Sequence, residues 1–163
     1  MGPEQGRSAV VALTLTAVVA AGCGSSSSTG GLSKQQLAAK ANSICSGYKP
    51  KIAAVKAPSI SDIQSGHYAP YFDQIAPIYD QAIAQLKTLK PASNVQGQWN
   101  QMLAQFGAVT TLIDQVRTRV DKGQGGAPTL LAQVVPRTNA ADAAAKNIGA
   151  TACASTPTQS GGG

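Results

Sequence analysis

The side chains able to do chemistry in this sequence are few and scattered. His67 is the sole histidine, and the chain carries three cysteines, Cys23, Cys45 and Cys153. Six aspartates follow Cys23: Asp62, Asp73, Asp80, Asp114, Asp121 and Asp142. Asp73 and Asp80 share a helical side at a spacing of seven, too far apart to share a proton. Serines are numerous, but none has a context that activates a nucleophile. A hydrolytic site would have to assemble from distant residues, with His67 beside an aspartate and a serine in a cleft. One histidine is poor material for zinc if Cys23 is lipidated and Cys45 and Cys153 are paired. Covalent haem attachment needs a C-x-x-C-H run, which is absent. A non-covalent haem between His67 and Met102 fails on reach, because in a hairpin turning at Pro91 the two lie about 20 Å apart along the axis. No metal or cofactor is implied, and the reading is non-enzymatic.

The cysteines point elsewhere. Ser8 to Ala21 is an apolar run whose only other polar residues are threonines, with Arg7 and the terminal amine ahead of it. That is the three-part plan of a secretory signal peptide, and the run falls short of the ~20 apolar residues of a transmembrane helix. Met1-Gly2 does not satisfy the myristoylation motif, because Gly6 stands where Ser or Thr is required. The run ends in Ala20-Ala21-Gly22-Cys23, which resembles the lipobox of bacterial lipoproteins. Ala21, Gly22 and Cys23 match the pattern, and Ala20 stands where leucine is usual. The resemblance implies a diacylglyceryl group on the Cys23 thiol and cleavage before it. The alternative is ordinary cleavage after small residues, releasing a secreted protein.

An odd thiol in an exported chain is awkward, since an oxidising compartment favours pairing. If Cys23 carries lipid, Cys45 and Cys153 are left to pair with each other. Residues 1–22 then read as a signal peptide and 23–31 as a flexible tether after the lipidated cysteine. Residues 32–153 form a helical domain, and 154–163 a small, polar, disordered tail. Two acyl chains, of the palmitate kind, supply stable anchoring at about 0.8 kcal/mol per buried methylene. The expected location is the outer face of the cytoplasmic membrane.

Four segments in the domain show helical spacing. The first uses Leu37, Ala41, Ile44, Tyr48, Ile52 and Val55; the second uses Phe72, Ile75, Tyr79, Ala82, Leu86 and Leu89. The third is a heptad stripe of Val95, Trp99, Met102, Phe106, Val109, Ile113, Val116 and Val120, with Ser93 as its expected cap and Gly123 at its end. The fourth runs through Leu131, Val134, Thr138, Ala141, Ala145, Ile148 and Ala152. No segment sustains strand alternation. The expected fold is all-α, an up-down-up-down four-helix bundle. Trp99, Met102 and Phe106 read as packing residues.

In such a bundle the first and last helices are antiparallel neighbours, so a Cys45–Cys153 bridge is plausible. An unbroken last helix, however, would leave Cys45 about 18 Å too far along. The expected solution is a break at Pro136, with a short helix before it and a final helix from about Arg137 to Cys153. Pro50 offers a second kink in the first helix.

Charge is +6 over 163 residues, and removal of Arg7 with Glu4 leaves that balance unchanged. Lys34, Lys40, Lys49, Lys51 and Lys56 are expected to lie in the first helix, with no acid among them. They read as a solvated face or as a contact with anionic lipid headgroups or envelope. Nucleic acid is disfavoured, since no aromatic-and-basic platform accompanies the charge. His67, Tyr68, Tyr71 and Phe72 concentrate the histidine with aromatic residues, as a binding patch or as rings closing one bundle end.

Ala41-Asn42-Ser43-Ile44-Cys45 and Gly149-Ala150-Thr151-Ala152-Cys153 give the whole mature region a resemblance to small uncharacterised exported lipoproteins of high-GC Gram-positive bacteria. Those are alanine-rich and helical, with one cysteine early in the first helix and one near the end of the last. The resemblance implies location and fold, and supplies no activity and no protein partner. Two roles fit: a non-enzymatic module for interaction or envelope structure, or a carrier or sensor binding a small apolar ligand between helices. An internal cavity along the Trp99 to Phe106 stripe would favour the second.

Overall fold

The computed structural model describes residues 30–155. The expected signal peptide, Cys23 and most of the expected tether lie outside the described residues. Five α-helices follow in order: α1 (Lys34–Ala54), α2 (Ile60–Gln64), α3 (Ala69–Lys87), α4 (Ser93–Asp121) and α5 (Ala127–Ile148), then a short 3-10 turn, Thr151–Cys153. No strand occurs among the described residues, and Leu32 makes an isolated parallel bridge to Pro91. No described helix is long and apolar enough to cross a membrane.

Local sequence explains the starts and stops. Ser33 opens α1 with a capping box: its hydroxyl accepts from the Gln36 N–H, and the Gln36 side chain accepts from the Ser33 N–H. Pro70 and Pro128 sit in the first turns of α3 and α5, where a missing N–H costs nothing. Ser93 is not the cap expected of it; Ala92 holds that position without a side-chain bond. The Ala92 N–H instead donates to the Leu32 carbonyl at 2.8 Å, tying the α3–α4 turn to the entering chain. Gly123 ends the α4 region as expected, at φ 59°.

The apolar stripes meet in two buried clusters. One joins Leu37 and Ala41 of α1, Leu86 of α3, Val95, Trp99 and Met102 of α4, and Ala145 and Ile148 of α5. The other joins Phe72 and Ile75 of α3, Val109, Ile113 and Val116 of α4, and Ala127 and Ala141 of α5. Half-buried Phe106 touches both. Trp99 and Met102 are essentially inaccessible, so both are packing residues. The start of α1, the α3–α4 turn and the end of α5 therefore share one end of the molecule. Helix α4 packs along both α3 and α5, whereas α1 packs on α3 and on the terminal turn.

The expected break at Pro136 is wrong. Helix α5 continues through that proline, as α1 does through Pro50 and α3 through Pro77. All three prolines face solvent. A proline deprives the carbonyl four residues earlier of its partner, and those carbonyls belong to Ser46, Asp73 and Ala132, all of them exposed residues.

The mismatch of register is resolved at the other end of α5. The helix stops at Ile148, five residues before Cys153, and Gly149 turns left-handed at φ 89°. The Gly149 N–H donates to the Lys146 carbonyl at 3.0 Å and the Ala150 N–H to the Ala145 carbonyl at 2.9 Å, a Schellman turn. Ala145 and Ala150 supply its buried apolar contact. The chain then doubles back over α1 and delivers Cys153 to Cys45.

Candidate functional site

The disulfide joins Cys45 to Cys153 with their Cα atoms 5.0 Å apart, closing a separation of 108 residues. Asn42 braces it. Its Nδ2 donates to the Gly149 carbonyl at 3.0 Å, and its Oδ1 accepts from the Ala152 N–H at 2.8 Å. One amide thus clamps both sides of the returning turn to α1. Beyond the turn, the Ser155 N–H and hydroxyl both donate to Oδ1 of Asp142, at 2.9 and 3.2 Å. Ala154 is buried. The expected disordered tail therefore does not begin at Ala154, because these two residues are held down; residues 156–163 lie outside the described residues.

Because the terminal turn holds α1 near its middle, α1 does not close along α5. The two helices instead face a common cleft of about 510 Å³. Cys45, Tyr48 and Ile52 come from α1; Tyr79, Ala82, Ile83 and Leu86 from α3. Phe106 and Val109 come from α4, Thr138, Ala141 and Asp142 from α5, and Cys153 to Ser155 from the terminal turn. The walls are mostly carbon, with polar groups from Tyr48, Lys49, Tyr79, Thr110, Thr138, Asp142 and Ser155. Apolar walls with a small number of fixed polar groups are the usual make-up of a small-molecule site, and the volume falls within the ~300–1,000 Å³ of such sites.

Tyr79 is the lining group whose titration the cleft perturbs. Its phenol is pushed above the usual 10.0, chiefly by burial and then by neighbouring Tyr71 and Asp142. Burial raises Tyr71 as well. The Tyr79 hydroxyl therefore stays protonated, and Asp142 lines the same cleft. Lys51 places its ammonium 4.6 Å from the centre of the Tyr48 ring on the neighbouring wall.

The aromatic group around His67 is not a surface patch. Tyr68 and Phe72 are buried, with their rings 5.8 Å apart and perpendicular. Tyr71 is half-buried, its ring 5.4 Å from that of Phe72. These three rings close the end of the second core cluster. His67 alone is exposed, with Nδ1 3.0 Å from the Ser65 hydroxyl. Asp62 is close by, but Ser59 engages its carboxylate and holds it below the ordinary aspartate value. Ser65 and His67 are both exposed to solvent. Among the described residues, no group of three or more His, Cys, Asp or Glu side chains gathers as a metal site.

The cleft residues Tyr79 and Asp142 were visible in the sequence only as a stripe residue and an isolated acid. Asn42, the brace, carried no chemical signal beyond being polar beside a buried stripe. Comparison of the chain with protein-family models, with curated proteins and with solved structures finds no match.

Proposed function

We propose that the protein is an exported, lipid-anchored helical module that binds a small apolar ligand in the cleft among its four long helices. The role is that of a carrier or sensor and is non-enzymatic. The single observation that carries the reading is the 510 Å³ cleft with apolar walls and a sparse polar lining. A purely structural or interaction module needs no such opening and would favour a closed core. The cleft reaches the heptad stripe of α4 at Phe106 and Val109 and leaves Trp99 and Met102 to packing. The polar lining residues, Tyr79 and Asp142 among them, are the groups available to orient the ligand.

Anchoring through Cys23 and placement on the outer face of the cytoplasmic membrane are supported by the lipobox-like Ala20-Ala21-Gly22-Cys23 and by the pairing of the other two cysteines. In architecture, the four long helices read as an up-down-up-down bundle in which a cleft replaces close packing of α1 on α5. The short connections flanking α4 support that reading.

Titration with the neutral fluorescent probe N-phenylnaphthylamine tests the cleft. Saturable binding is expected, with affinity falling at least tenfold, or about 1.4 kcal/mol, in Ala82→Phe and Thr138→Phe, which fill the cleft. Equal binding by the filled variants, with melting unchanged, would overturn the reading. Intact mass measurement of the native membrane-extracted protein tests the anchor: a mature chain lacking diacylglyceryl on Cys23 would contradict it.

A further inference from the structure

The chain enters the helical body at a fixed point. The Leu32 N–H donates to the Lys90 carbonyl at 2.6 Å, and the Leu32 carbonyl accepts from Ala92. Gly31 passes so close to the turn that a Cβ there would land on the Pro91 carbonyl and within 2.6 Å of the Ala92 nitrogen. Whatever precedes Gly31 therefore leaves from the end of the molecule formed by the start of α1, the α3–α4 turn and the end of α5.

That end has one sign of charge. Lys34 opens α1, Lys87 and Lys90 flank the α3–α4 turn, and Lys146 lies in the last turn of α5; all four are exposed. Lys40 follows further along α1. The acids closest to this end, Asp80 and Asp142, lie about two turns in, and Asp142 is engaged by Ser155. Elsewhere the signs are mixed: Arg117 stands 3.8 Å from both Asp73 and Asp114, and Lys122 adjoins Asp121. Complementing helix dipoles explains Lys87 and Lys146, which sit at helix C-termini. It does not explain Lys34, which sits at the positive end of α1, or Lys90 in the turn.

We propose that this end is a docking face for an anionic lipid bilayer, which holds the α1 start and the α3–α4 turn against the headgroups. The inference takes its membrane from the anchoring reading above, but the charge pattern itself is independent of acylation. Exposed lysines near an anionic leaflet contribute additively and are screened within a Debye length.

The test uses the full chain carrying Cys23→Ser, so that no acyl group contributes, in co-sedimentation with phosphatidylglycerol-containing or pure phosphatidylcholine vesicles. Any apolar contribution from the leader is common to both lipids. Preference for the anionic vesicles is expected, lost at about 1 M salt. Adding Lys34→Gln, Lys87→Gln, Lys90→Gln and Lys146→Gln together lowers partition by several hundredfold, up to about a thousandfold. The charge-matched set Lys51→Gln, Lys56→Gln, Lys122→Gln and Arg137→Gln lowers it by less than about tenfold. Equal losses in the two sets, or equal partition to both lipids, would overturn the proposal. So would binding of soluble polyphosphate through the same four lysines without vesicle binding, which would assign the end to an anionic polymer. Absence of diacylglyceryl from the native protein would sink the anchor and leave this result untouched.

Discussion

Asn42 shows how much one polar side chain settles in this protein. Its amide donates to Gly149 and accepts from Ala152, and both bonds are part-buried. Asn42→Ala leaves a carbonyl and an N–H without partners, so we expect a loss of about 1–3 kcal/mol in a denaturant titration, with the disulfide intact. Tyr79 gives a test by pH. Its folded value is raised, so the unfolded state releases the phenolic proton first as pH climbs. Above pH 10 the folded state then loses stability with rising pH. Asp142→Asn removes one cause of the shift, and phenolate absorbance should show Tyr79 titrating closer to its usual value. Neither role was legible in the sequence. Asn42 is a polar neighbour of a stripe, and its meaning depends on a partner over a hundred residues away. The pairing of Cys45 with Cys153 was legible, because counting left no other partner once Cys23 was set aside.

At the scale of elements, the four amphipathic segments were readable from spacing alone, since an apolar residue every three or four positions leaves one solution. Boundaries were harder. Pro136 does not end α5, because Pro136 and Ala132 are exposed residues and the helix packs on α4. The helix stops at Gly149 instead, although the stripe in the sequence runs on to Ala152. Gly149→Ala is expected to cost about 1–2 kcal/mol, since a Cβ is strained at φ 89°. The disulfide fastens the turn that Gly149 begins. Replacing Cys45 and Cys153 by serine should cost about 2–5 kcal/mol in thermal or denaturant unfolding, the chain-entropy value for a loop near 100 residues being about 4.7 kcal/mol. It should also weaken probe binding, because Cys45, Cys153 and Ala154 wall the cleft.

The whole molecule is a helical body with two differentiated regions: a lysine-bearing end where the chain enters, and a cleft between helices held apart by the terminal turn. With 43 % apolar and only 4 % aromatic residues, the sequence supports a core built largely of Ala, Leu, Ile and Val. It did not indicate where a cleft would open. That depends on α1 being tied near its middle to the returning chain, a tertiary fact with no local signature. The central claim is that the cleft holds a small apolar ligand. Native mass spectrometry of protein extracted from its own membranes under non-reducing conditions tests it most directly. The account predicts a non-covalent adduct of one small apolar molecule on the parent chain, absent from Ala82→Phe of equal thermal stability. Mass equal to the bare, acylated chain in both, with added N-phenylnaphthylamine failing to bind either, would contradict it.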